Sequence, residues 1–450
     1  MSRREQHSNA HTRETPAGRP GRGGALRALC VAVGLCGGVS ALTGCAKSSV
    51  VNTAMNGDLA TLRQQIADAQ KAGTLDKGEV RSLAQAVAGR EVRSTSKDRV
   101  VDRIHQVRSC AGSLKAVLRD RAGQADDAGG EAKLALLDAG IDRDPGLVSE
   151  YSHAESGAWR AVAARMTTQL GQAGLRQSML ADGDERVRRA AISASLDARD
   201  KRDIGPLLES TRVDPDPLSR GMAARAVGNI GGEQVVLGLK DLWDRADETT
   251  RVTIVEAWAM PAAFSSGGEQ QLLWVVETGE AMPAVSAAGA LVRAKRATAD
   301  SGEALLTRVA SGGAADERSL ALNWLPLSDP DALKAVEKAS KDPDPQIKAA
   351  ALARLLKTKQ GAKAKQELLK LAKGKSDAAF PARLALARAG ESEAAPLLKQ
   401  DLSAKSSSVR QQAAIALASL ADYSTAATAL ADENPSVRTQ VACSILLQSQ

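Results

Sequence analysis

DPDPQIKAAALARLL, residues 342–356, is the stretch whose reading decides the fold. Asp344 followed by Pro345 is a helix start. The carboxylate can accept from the free backbone N–H groups of a first turn, and proline fits a position where no N–H is needed. The run after it is alanine-rich on one stripe, so another helix can come close. The pattern recurs as DERVRRAAISASL at 184–196, DPDPLSRGMAARAVG at 214–228, SSSVRQQAAIALASL at 406–420 and NPSVRTQVACSILL at 434–447. Weaker copies lie at 157–166, 249–258, 282–292, 316–325 and 379–389. The anchor position falls at Trp159, Val187, Ser219, Thr250, Ala284, Glu317, Ile347, Phe380, Val409 and Val437, in steps of 28 to 34 residues. That regularity is the mark of a repeat architecture.

Each copy is followed by a second apolar run with a leucine pair, as at Leu207-Leu208, Leu272-Leu273, Leu305-Leu306, Leu368-Leu369 and Leu397-Leu398. Neither helix of such a pair can bury its stripe alone, and stacking the pairs makes one continuous core. Aromatic residues are only 2% of the chain, and alternating β-branched stretches are scarce, which leaves strands little support. The expected fold is all-α: an α-solenoid of stacked helix pairs, about ten units over 146–450, with a helical N-terminal region at 53–145. Amphipathic runs near 57–71, 76–90, 98–109 and 112–123 read as degenerate repeats capping the stack, and GQADDAGGEA at 123–132 as an internal break.

These copies resemble the HEAT repeat, in the short form of phycobilisome-lyase-like proteins, whose signature is D-P-x-V-R-x-x-A-A-x-A-L. The resemblance covers roughly 145–450 and is strong in five copies. It describes packing, so it implies a scaffold that binds another protein and no catalytic group. It also implies that the basic residue after the anchor (Arg160, Arg188, Arg220, Arg251, Arg318, Lys348, Arg410 or Arg438) pairs with a turn aspartate: Asp184, Asp216, Asp247, Asp316 or Asp344.

The N-terminus reads differently. Residues 1–27 hold six arginines against two glutamates, and 28–41 carry no charge. A basic leader, a short apolar core and a small-residue exit make an export signal. Leu42-Thr43-Gly44-Cys45 resembles the lipobox of bacterial lipoproteins, in which the cysteine takes a lipid and the signal, here 1–44, is cut before it. Residues 45–52 would then be a lipidated tether. Ala46 stands where the inner-membrane retention signal of that family has Asp. The resemblance therefore implies lipid anchoring in the envelope of a Gram-negative bacterium, at the outer membrane. The leader also accounts for four of the seven net positive charges, leaving about +3, which is weak support for a nucleic-acid partner.

No catalytic, metal or cofactor site is expected. His105 and His153 have no zinc spacing, and neither precedes a glutamate as in iron-binding HEAT hydroxylases. A phosphate loop and a G-x-S-x-G elbow are both missing from the sequence. Trp159, Trp243, Trp258, Trp274 and Trp324 read as packing residues. Cys110 and Cys443 sit at opposite ends of the mature chain and are expected as buried free thiols, out of reach in an elongated stack. One charge feature stands out: Lys357, Lys359, Lys363, Lys365, Lys370 and Lys373, within a 348–375 run whose only acid is Glu367. A solvated helix face explains it; so would a patch for an anionic envelope component such as lipopolysaccharide, lipid head groups or wall polymer.

Overall fold

The computed structural model describes residues 48–93, 97–279 and 281–450. The segment expected as an export signal, and Cys45, lie outside the described residues. Three helices open the described chain: α1 (Ser49–Asn56), α2 (Leu59–Ala72) and α3 (Lys77–Arg93). Helix pairs follow. They are α4 (Lys97–Val107) with α5 (Lys115–Ala122), α6 (Asp127–Asp138) with α7 (Gly146–Tyr151), and α8 (Gly157–Met166) with α9 (Ala173–Met179). Next come α10 (Glu185–Ala198) with α11 (Ile204–Val213), and α12 (Pro217–Ile230) with α13 (Glu233–Trp243). α14 (Glu248–Trp258) is joined through the short α15 (Pro261–Ala263) to α16 (Glu269–Thr278). Then follow α17 (Ala281–Ala294) with α18 (Ala299–Gly312), and α19 (Ala315–Trp324) with α20 (Pro330–Ala339). The last are α21 (Pro345–Leu355) with α22 (Gly361–Lys373), α23 (Ala379–Arg388) with α24 (Ala395–Asp401), α25 (Ser407–Ser419) with α26 (Tyr423–Ala426), and α27 (Pro435–Gln448). The ten sequence anchors fall on the ten first helices from α8 to α27. The fold is an all-α solenoid of stacked HEAT-like pairs.

The starts of these helices follow the expected chemistry. Asp184, Asp216, Asp247, Asp344 and Asn434 each cap a first helix by accepting from backbone N–H groups two or three residues on. Pro217, Pro345 and Pro435 occupy the first turn behind three of these caps. The alanine stripes bury completely, as at Ala190, Ala191 and Ala194 or Ala223, Ala224 and Ala226. Close approach is the reason for the small residues. A Cβ on Gly228 would sit 2.4 Å from the Ala257 carbonyl oxygen of the next first helix, and one on Gly130 would sit 2.8 Å from the Ala158 Cβ. Residues 123–132 are therefore no break: α6 begins inside them and packs between α5 and α8.

The first helices form the inner layer. Arg186 at the start of α10 reaches Asp127 at the start of α6 (2.9 Å), passing over α8. A contact that skips a unit is open only to the inside of a curved stack.

The expectation that needs correction is the elongated stack. α27 is paired differently from the other first helices. Its outer partner is α3, from the other end of the chain, and its next inner neighbour is α4. The solenoid therefore closes into a ring, and the closing pair is composite. α2 packs beside it on the turn 427–431, with Arg63 donating to the Ala431 carbonyl (2.9 Å) and Gln70 to that of Ser424 (2.6 Å). Gln106 of α4 donates to Ser436 of α27 (2.9 Å). The two cysteines expected as free thiols form a disulfide, Cys110–Cys443, with Cα atoms 5.5 Å apart. Closure brings together what 333 residues of sequence separate.

Ion pairs link several neighbouring units as rungs of a ladder, offset from the expected register. Arg160 forks onto Asp182 (3.0 and 2.8 Å), Arg188 onto Asp214 (2.7 and 3.0 Å) and Arg410 onto Asp432 (2.7 and 2.8 Å), while Arg318 reaches Asp342 (3.2 Å). Each acceptor lies two residues before the capping residue and accepts that residue's backbone N–H. The predicted partners Asp184, Asp216, Asp247 and Asp344 cap their own helices, and the arginines that reach Asp184 and Asp216 are Arg186 and Arg189; Asp316 lies inside the first turn of α19. The same arginines give their remaining Nη1 protons to carbonyls five and six residues upstream, as Arg188 does to Asp182 and Gly183. Arg438 is the last rung. Its acceptor is Glu91 of α3 (3.0 and 2.6 Å), and both side chains are buried.

Two substitutions test the joint. Arg438→Ala leaves Glu91 buried with less compensation and is expected to cost about 3–5 kcal/mol in urea unfolding. Cys443→Ser is expected to cost about 2–4 kcal/mol. Because both act on one joint, the double variant should lose less than the sum. A loss below about 1 kcal/mol for each would mean the ends contribute little to stability.

Candidate functional site

The inner layer holds two hollows of different character. The smaller, about 180 Å³, lies among α4, α6, α8, α10 and α12 and is lined by charge. Glu131 is completely buried at its base, accepting from His105 Nε2 and Arg108 Nη2 at 2.8 Å each. Burial alone would push this carboxyl up; the imidazole and guanidinium beside it outweigh that and hold it below its ordinary value. Arg165 bridges Asp138 and Asp197 (2.8 and 2.7 Å), and Arg186 bridges Asp184 and Asp127. Every arginine lining this hollow is matched by a carboxylate, so it is a cross-brace of the ring.

The larger hollow, about 730 Å³, is a groove across α19, α21, α23 and α25. Its floor is made of small residues, Ala349, Ala350, Ala353 and Ala385. Half-buried Leu327, Phe380, Leu384 and Val409 flank it. Its basic groups are Arg354, Lys357 and Arg388, and no carboxylate lines it. Arg354 is turned inward and donates to the carbonyls of Asn323 and Leu325 at the end of α19, the negative end of that helix. Burial pushes its guanidinium below the ordinary value. Lys357 and Arg388 are exposed and make no ion pair among the described residues.

The predicted lysine patch is split by the fold. Lys357 sits at the rim of the inner groove, and Lys359 is exposed in the turn after α21. Lys363, Lys365, Lys370 and Lys373 ride on α22, in the outer layer. Of these, Lys365 pairs with Glu391 and Glu393 of the next unit (2.5 and 2.7 Å), and Lys370 with Glu367 (2.8 Å). Lys363 and Lys373 are exposed. A window ending at residue 375 could not show Glu391 and Glu393. The groove itself was not singled out in sequence, since its floor carries the same alanines as every other unit.

The tryptophans pack. Trp258 is fully buried, stacks on Trp243 with ring centres 5.5 Å apart, and donates to the Val236 carbonyl (3.3 Å). Trp159 stacks on Tyr151, and Trp324 lies under Arg293. Among the described residues no group of three or more His, Cys, Asp or Glu is placed to hold a metal ion, and no helix is long and apolar enough to cross a membrane.

Residues 172–259, from α9 to just beyond α14, match the family model for HEAT repeats. That match covers 88 of the 450 residues, within a solenoid of HEAT-like pairs. No curated protein matches it. Among solved structures, the karyopherin Kap121p bound to the extreme C-terminus of the protein phosphatase Cdc14p shares 14% identity at a TM-score of 0.32. That match covers 83% of this chain and 49% of that one. Kap121p bound to the SUMO protease Ulp1p matches at 14% identity and a TM-score of 0.31, over 83% and 49%. An engineered protein matches at 17% identity and a TM-score of 0.27, over 83% of this chain and 99% of its own. The chain spans about half the length of the karyopherins. Superpositions this loose say nothing about the partners of this HEAT ring.

Acids of the ladder and of the helix caps give the ring a pH dependence. Asp182 is held below its ordinary value by hydrogen bonds from Arg160, against the opposing effect of burial. For Asp216 burial is the largest influence and raises the value; Ser219 and Arg189 overcome it and bring the carboxyl down to about 2. A carboxyl depressed in the folded state adds stability above the unfolded value, about 3.9, that is lost as pH falls through the folded one. The urea midpoint should therefore be flat above about pH 5 and fall between about pH 4 and 2. Asp182→Asn should shrink that fall; a fall of unchanged size would remove the ladder as its cause.

Proposed function

We propose that this chain is a lipid-anchored, non-catalytic HEAT scaffold of the bacterial cell envelope that binds another protein on its inner face. The groove across four consecutive inner helices is the observation that carries this reading. Repeat solenoids build extended concave surfaces in this way, and binding is spread over many units. The Cys110–Cys443 bond supports the compartment, since structural disulfides persist in oxidising environments such as the periplasm. The lipobox-like Leu42-Thr43-Gly44-Cys45 supports the anchor. Attachment of two or three acyl chains there would hold the scaffold at the membrane, at roughly 0.8 kcal/mol per buried methylene.

A second reading rests on Lys359, Lys363 and Lys373, exposed and without an ion pair among the described residues. It makes the outer layer an adaptor for an anionic envelope component such as lipopolysaccharide or wall polymer. Attraction of that kind would weaken steeply with salt.

Affinity isolation from detergent-solubilised membranes, beside a Cys45→Ala form, tests both. The scaffold reading expects the parent protein in the membrane fraction with a stoichiometric protein partner, and the variant released from the membrane. Lipopolysaccharide or wall fragments in place of a protein, lost on Lys359→Glu with Lys363→Glu and Lys373→Glu, would move the assignment to the outer patch. A Cys45→Ala form that stays in the membrane fraction would end the anchor argument.

A further inference from the structure

The inner groove has an asymmetry that narrows what it can hold. Its floor is alanine, so a partner's backbone can lie close to it, and Phe380, Leu384, Leu327 and Val409 offer apolar walls. At the end formed by the last turns of α21 and α23 it carries Arg354, Lys357 and Arg388. Elsewhere on the inner face several arginines meet carboxylates: Arg225 pairs with Glu256, Arg165 with Asp138 and Arg189 with Asp216. Here three cations converge with no carboxylate among the lining residues. Arg354 is satisfied only by main-chain carbonyls, whose partial charge does not cancel a whole one. The opposite end, with Ser319, Gln346 and Gln412, is polar and uncharged.

We propose that the groove across α19, α21, α23 and α25 docks a polypeptide segment with two or three apolar side chains followed by acidic residues. The apolar residues lie over the alanine floor, and the acidic end meets Lys357 and Arg388. This rests on the protein-scaffold reading and assigns it a place and a chemistry. Apolar contacts supply the affinity, while the rim charges set orientation and association rate. The occupant therefore has a polarity along the helix axes, its acidic end toward the C-terminal ends of α21 and α23.

The test is selection of random peptides of about 16 residues from a display library on the disulfide-intact ring. Enriched sequences should pair apolar residues with a following Asp or Glu. Their affinity should fall about tenfold or more on Lys357→Glu with Arg388→Glu, the scale of a lost complementary charge pair. Both positions are exposed, so the fold should survive; unchanged thermal unfolding checks that. Lys363→Glu with Lys373→Glu, on the outer helix α22, should leave the affinity unchanged. Enrichment of basic peptides, of none, or of peptides indifferent to the groove pair would overturn the proposal. Placing a photo-crosslinking residue at Leu384, and separately at Leu237 on the outer helix α13, then separates the two readings in cells. Protein crosslinked at Leu237 alone would keep the scaffold and sink the groove; no crosslinked protein at either position would count against both.

Discussion

Everything in this molecule depends on how the last repeat finds its second helix. A solenoid normally exposes the flank of its final unit, and terminal repeats need a polar outer face to stay soluble. Here α27 carries Val437, Val441, Cys443, Ile445 and Leu446, all buried. The side chains that cover them belong largely to α3, whose Val80, Leu83, Val87 and Val92 are buried in turn. Neither helix is a cap. Each is half of a repeat whose other half lies at the far end of the sequence, and the ring exists because both halves are incomplete alone.

The polar chemistry at the joint has the same logic. In a regular unit the arginine after the anchor closes two gaps at once. It satisfies carbonyls of the turn before it and pairs with the aspartate of the turn after it. Arg438 meets its first obligation locally, at Asp432 and Glu433. For the second, Glu91 holds the place that the aspartate of the next turn takes in a regular unit. Glu91 also lies 3.4 Å from Arg103 of α4, so the acid serves both sides of the seam. A buried ion pair is costly unless its hydrogen bonds are met, and this one is poorly suited to any register but the closed one.

The sequence made the repeat legible because its signals are local. Cap, proline, anchor and alanine stripe all lie within fifteen residues of one another, so the inner helices from α8 to α27 could be read in a single pass. What escaped was whatever depended on the curvature of the whole. The Asp-x-Asp turns show the nearest case. Asp182 and Asp184 are equally plausible partners for an arginine when only spacing is known. Asp184 is already engaged by the backbone N–H and the guanidinium of Arg186, which leaves Asp182 for Arg160. Glu391 and Glu393, which neutralise Lys365, lie a unit further along and outside any charge run. The seam is the extreme case: nothing in α3 resembles the second helix of a HEAT pair, and Cys110 and Cys443 meet only because the stack returns on itself.

Closure also changes what the inner face can do. An open solenoid adapts to a partner by changing pitch, spreading a small distortion over many weak interfaces. A ring fixed at both ends by the Arg438–Glu91 pair and the Cys110–Cys443 bond cannot change pitch without breaking the joint. Its inner contacts are stiffened further on the α4–α12 side, where Arg186 crosses a whole unit to reach Asp127. The α19–α25 side has fewer such braces, and its arginines and lysine face a hollow in place of carboxylates. In a ring that is braced on one side and hollow on the other, the unbraced cations mark the arc of the inner face that internal pairing leaves open to another molecule.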